Sequence, residues 1–131
     1  MKLLLDTHAM LWYALNDPSL SIAAKALIIH PANEIWSSPA SFWELAIKIS
    51  IGKITLHRPF RDFVDVCVNQ YRFRILPIEP VHTEQLVTLP FPPNHKDPFD
   101  RLLVAQAMVE QMGVISNDSA LDAYPIKRHW N

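Results

Sequence analysis

The sequence predicts an α/β domain with a mainly parallel central sheet. Short strand-like segments at residues 3–5, 34–37 and 114–116 alternate with longer segments of helical periodicity. Eleven Pro but only two Gly suggest helices and strands joined by Pro-marked turns. Strands alternating with helices imply βαβ units, whose strands run parallel.

The elements follow in order. Residues 3–5 form a buried strand that ends at Asp6, and residues 7–15 form a helix stopped by Asn16, Asp17 and Pro18. A second helix covers residues 20–30 and stops at Pro31, and residues 34–37 form the second strand. The third helix runs over 39–51 with Gly52 as its C-cap. Residues 59–71 make another helix, with Phe60, Phe63, Val64, Cys67 and Val68 on one side. Residues 73–78 read as a strand, 81–89 as a short helix, and 89–95 as a stiff Pro-rich loop. The clearest helix covers 98–112, capped by Gly113, before a strand at 114–116 and an edge strand within 126–130.

A chain of 131 residues that is 50% apolar and 19% charged suits one packed domain, residues 1–131. A net charge of −1 lacks the broad basic signature of a general nucleic-acid binder, so contacts to such a substrate must be local. The single Cys67 permits no internal disulfide and falls in an apolar helical pattern, so burial is expected there. Lys2 and the leucines after it resemble the start of a signal peptide, but Asp6 interrupts them. A soluble, cytoplasmic chain without a membrane span is expected.

The acidic residues carry the chemistry. Asp6 and Asp118 each follow a strand, Glu44 lies early in the third helix, and Asp97 and Asp100 open the long helix. In a parallel sheet these segments meet at the carboxyl edge, where ligand sites gather. Each acid also has a structural explanation. Asp97 before Pro98 is a natural N-cap, and Asp100 then sits where a carboxylate favours the helix dipole. Ser41 and Glu44 have capping-box spacing, and Asp118 suits a turn cap. Each cap contributes only about 1 kcal/mol. Asp6 resists such a reading, because a carboxylate ending a buried strand is costly unless paired or bound to metal. Clustered carboxylates repel one another, and a divalent cation relieves that cost. Mg²⁺ and Mn²⁺ favour hard oxygen ligands and serve phosphodiester chemistry by activating water and orienting the phosphate. The six His show no zinc-like spacing, and two Gly cannot build a Gly-rich phosphate loop.

The order Leu-Leu-Asp-Thr-His at 4–8, Trp-Glu-Leu at 43–45, His-Lys-Asp-Pro-Phe-Asp-Arg-Leu-Leu-Val-Ala-Gln-Ala at 95–107 and Ile-Ser-Asn-Asp at 115–118 resembles the PIN-domain family. Within it the chain looks like the VapC-like toxins with Asp-Thr-His and His-x-Asp-Pro-Phe-Asp-Arg motifs. The resemblance implies a PIN-like three-layer α/β/α fold and a metal-dependent ribonuclease, the toxin of a type II toxin–antitoxin system. It places Asp6, Glu44, Asp100 and Asp118 in the four acidic motifs that hold Mg²⁺ or Mn²⁺, with Asp97 as an additional acid of the subgroup. Ser116 stands where the family often has Thr. The resemblance also implies an RNA substrate, a cognate antitoxin and a homodimer.

Arg101 and Lys96 are candidate phosphate contacts beside these acids, with Lys48 and Lys53 as similar candidates near Glu44. Thr7 and Ser116 are read first as structural hydroxyls, and as holders of a carboxylate or a metal water second. Arg58, Arg61, Arg72 and Arg74 read first as a solvated face. The four Trp are expected mainly in the core, and His8 on the helix surface or behind the site. Two other classes compete. One is a phosphatase with Asp6 as nucleophile, although the usual Asp-x-Asp is broken by His8. The other is a PIN-like module that only binds RNA or protein.

Overall fold

In the computed structural model, which describes residues 1–93 and 97–131, five strands form one parallel sheet in the order β3-β2-β1-β4-β5. The strands are β1 (Lys2–Leu5), β2 (Glu34–Ser37), β3 (Arg74–Ile75), β4 (Gly113–Ile115) and β5 (Arg128–His129). Six α-helices connect them: α1 (Thr7–Leu15), α2 (Ile22–Ile29), α3 (Pro39–Ser50), α4 (Phe60–Asp65), α5 (Pro80–Thr88) and α6 (Pro98–Glu110).

Alternation along β1 sorts the core into two layers. Leu3 and Leu5 pack with Met10, Ile28, Leu45 and Phe63 from the layer of α1 to α4. Leu4 turns the other way, onto Leu103, Val104 and Ala107 of α6. The three-layer α/β/α arrangement expected from the sequence is therefore present. No helix among the described residues is long and apolar enough to cross a membrane.

Chain order fixes where a site can form. β1, β2 and β3 step outward in one direction, and the chain then returns through α5 and α6 to lay β4 on the other side of β1. The strand order reverses between β1 and β4, so a crevice opens beyond their carboxyl ends.

Several boundaries differ from expectation. Gly113 does not cap α6. Gln111 does, in the left-handed conformation at φ 55°, and Gly113 instead begins β4. A Cβ on Gly113 would lie 2.8 Å from Nε2 of His129, so a side chain there would require the His129 ring to move. The helix expected at 59–71 is α-helical only to Asp65 and continues as a π-helical segment, Val66–Gln70. Cys67 is buried within that segment, as expected, and burial pushes its thiol up to about 12. Strand pairing within 73–78 is confined to Arg74–Ile75 and one further bond, from the Leu76 N–H to the Ser37 carbonyl. β2 ends at Ser37 and turns into α3 at Pro39, so no strand is left for the residues after Leu76 to pair with. Pro77 sits on the outward side of this edge strand, where a missing N–H costs nothing.

Candidate metal centre at the carboxyl edge

Asp6 leaves β1 and turns directly into α1. Its Oδ1 accepts from the Ala9 N–H at 2.7 Å, so it is the N-cap of that helix. Its carboxyl is buried, and burial raises its proton affinity. The Ser116 hydroxyl, the Ala9 N–H and nearby His8 oppose that rise, and the Glu44 carboxylate adds to it. Ser116 also accepts from the Asp118 N–H at 3.0 Å. One hydroxyl thus joins the ends of β1 and β4 across the crevice.

Glu44 does not close a capping box. Ser38 is the N-cap of α3, accepting from the Ala40 N–H, with Pro39 as the first helical residue. Glu44 lies further into the helix, where Thr7 Oγ1 donates to its Oε1 at 2.6 Å. Lys48, one turn on, places Nζ 3.1 Å from Oε2. Thr7 and Ser116 are therefore holders of carboxylates rather than incidental structural hydroxyls.

Asp97 is the cap the sequence predicts: its Oδ1 accepts from Phe99 and Asp100 N–H groups at 2.9 and 3.0 Å. This leaves Asp100 in the first turn of α6. Asp118 caps a short 3-10 helix, Ser119–Ala123, by accepting from the Ala120 N–H at 3.0 Å.

Asp6, Glu44, Asp97, Asp100 and Asp118 all line one open cleft of about 460 Å³, with Thr7, His8, Trp12 and Lys48 among its other walls. Among the described residues no three His, Cys, Asp or Glu side chains form a ready-made cage for an ion. The acids are instead spread around the cleft. Carboxylates, hydroxyls and an amide, without a thiol, make a donor set for a hard cation. Mg²⁺ in particular keeps several of its waters and needs few direct protein ligands. The raised proton affinity of Asp6 is what an adjacent cation would offset. The residues present thus fit a hydrated divalent ion.

Arg101 faces elsewhere. It is buried, and NH1 donates to the Pro90 carbonyl at 2.8 Å and to Tyr124 Oη at 3.2 Å, while NH2 donates to the Leu89 carbonyl at 3.3 Å. The Phe91 ring covers it, with the guanidinium carbon 3.6 Å from the centroid. The expected phosphate contact at Arg101 is therefore replaced by a clamp on the Pro-rich loop. Lys53 is exposed and does not line the cleft. The expectation for Lys96 lies outside the described residues.

A parallel sheet whose switch-point crevice is lined by carboxylates from separate elements defines an α/β protein with a hard-oxygen site. The chain belongs to the PIN-domain family, whose sequence profile matches residues 3–127. It is 30% identical over 123 residues to Ribonuclease VapC22 of Mycobacterium tuberculosis (strain ATCC 25618 / H37Rv), covering 92% of this chain and 90% of that protein. Its fold is similar to that in the crystal structure of VapBC2 from Rickettsia felis bound to a DNA fragment from their promoter. That match has a TM-score of 0.72 at 16% identity over the whole of both chains. VapBC-1 from nontypeable Haemophilus influenzae matches with a TM-score of 0.68 at 16% identity, covering 98% of this chain and 97% of that one.

Proposed function

We propose that this protein is a Mg²⁺- or Mn²⁺-dependent endoribonuclease that acts in the cytoplasm as the toxin of a type II toxin–antitoxin pair. The observation that carries the proposal is the meeting of Asp6, Glu44, Asp100 and Asp118, from four separate segments, in one cleft at the sheet's switch point. Kinship with a VapC ribonuclease supplies the reaction class, and likeness to VapBC assemblies supports an antitoxin partner. A second copy of the chain is the other partner we assign.

Asp6, Glu44, Asp100 and Asp118 hold the ion. When bound, it supplies an activated water and neutralises charge building on the phosphate. The chain's own groups set the geometry. Thr7 fixes the Glu44 carboxylate, and Ser116 fixes Asp6 while tying the Asp118 backbone to it. Asp97 caps α6 and so orients the turn that carries Asp100. Hydrolysis forms a bond from the water oxygen to phosphorus and breaks one P–O ester bond, and the leaving oxygen takes up a proton.

The test is cleavage of a mixed RNA pool by partner-free protein with Mg²⁺, with Mn²⁺ and with EDTA, beside Asp6→Asn. Metal-dependent cutting that disappears in the variant is expected. Folded protein that cuts nothing under any of these conditions would move the assignment to a non-catalytic binding module.

A further inference from the structure

The cleft is poorly equipped to hold a polyanion by charge alone. Lys48 is the one Lys or Arg among its described lining residues, and its ammonium already lies 3.1 Å from Glu44. A bound ion can hold the reacting phosphate, but the rest of the strand needs other contacts. In single-stranded nucleic acid, aromatic rings stacked on bases supply such contacts alongside basic groups on the backbone.

Such rings stand beside the acids. His8 is exposed, two residues from Asp6, and its ring lies 5.4 Å from that of Trp12 at an interplanar angle of 43°. Both rings line the acidic cleft. Trp12 is half-buried and packed against the core, which fixes its plane, and Trp130 lies 6.0 Å beyond it. An exposed ring in the first turn of α1 adds nothing to the core, and the tilted His8–Trp12 pair places two aromatic rings on the wall of the cleft.

Trp12 also lines a second groove, of about 390 Å³, together with Tyr13, Asn16, Ile22 and Lys25. The cleft and the groove therefore meet at one indole. Ile22 is almost wholly exposed there, and Lys25 Nζ donates to Asn16 Oδ1 at 3.3 Å. An apolar floor with the Asn16 amide, the Asp17 carboxylate and the Lys25 ammonium at its margin suits a flat heteroaromatic ring whose polar edges both donate and accept.

We propose that His8 and Trp12, with the groove beyond them, form a nucleobase subsite that receives the base next to the scissile phosphate. The placement next to the scissile phosphate rests on the ribonuclease reading. The stacking itself can be measured without any cleavage.

The experiment compares a ten-nucleotide RNA with an abasic ribose-phosphate strand of the same length. Binding is read by fluorescence anisotropy with Mg²⁺, in an Asp100→Asn background that leaves the strands uncut. The intact strand should bind about ten- to a hundredfold tighter. His8→Ala and Trp12→Leu should each shrink that ratio by about fivefold or more, with abasic affinity unchanged. His8→Phe, which keeps a ring, should restore it. His8→Ala carries the test if Trp12→Leu does not fold. A ratio near one in the parent, or an unchanged ratio in His8→Ala, would overturn the subsite and assign the ring pair to a protein partner. Loss of the ribonuclease reading would instead show as absent cutting by the native sequence, with the binding ratio intact.

Discussion

Two regions of this small domain bury polar side chains, and they do so differently. Beneath the Pro-rich loop, Arg101 directs its guanidinium onto two carbonyls and a phenol, with an aromatic ring over it. In the same layer His82 is enclosed. Its Nδ1 accepts from the Glu79 N–H at 3.0 Å, so its Nε2–H donates to Glu110 at 2.8 Å. At the carboxyl edge, Asp6 and Glu44 are also buried but line an open cleft. A buried charge enclosed by its partners is a strut. One held by partners on one side and open on the other is a place for a ligand.

The sharpest way to break this distinction is Asp6→Asn. Cleavage should fall by more than the roughly 10- to 100-fold typical of residues that only support a metal ligand. Asn remains a good N-cap, so the helix start survives. Because burial raises the folded-state proton affinity of Asp6 above its ordinary 3.8, its stabilising contribution is complete below that value. It is lost as pH rises through the folded-state value. At neutral pH Asp6→Asn should therefore melt higher than the native sequence while cutting nothing, and melting curves across pH beside RNA cleavage check both. A lower melting temperature would make Asp6 a strut like Arg101.

Arg101→Met tests the other side. It strands the Leu89 and Pro90 carbonyls and should cost about 2–4 kcal/mol in urea denaturation. Specific cleavage by the folded fraction should remain near native. Ser116→Ala then probes the boundary between the regions, since that hydroxyl supports acids without belonging to the acidic set. Activity should drop about 10- to 100-fold, with only about 1 kcal/mol of stability lost. The smallest effect belongs to Asp97→Ala. About 1 kcal/mol of helix capping should go, seen as a lower melting temperature, with less than about a tenfold change in cleavage.

These contrasts also mark how far the sequence is legible. α1, β2 and the first residue of α6 follow from local chemistry: Asn16 and Pro18 stop α1, and Asp97 with Pro98 starts α6. Boundaries set by tertiary contact do not. Gly113 looks like a cap and is instead a close approach to His129. The π-helical turn after Asp65 has no local signal. At the site, each acid is visible as a strand-end or helix-start carboxylate. What holds it is not, because Thr7–Glu44 and Asp6–Ser116 join residues far apart in the chain. Arg101 sits beside Asp100 in sequence yet faces the other way, since adjacent helix positions point about 100° apart.

Asp6 rests on Ala9 and Ser116, Glu44 on Thr7 and Lys48, Asp97 on the start of α6, and Asp118 on Ala120. Each of these supports is a group of the chain itself, so on the proposed function folding and ion loading are separable. Many small metalloproteins couple the two, and chelators unfold them. Under the proposed metal dependence, EDTA is expected to stop RNA cleavage without shifting the melting curve, and added Mg²⁺ to restore cleavage without a refolding step.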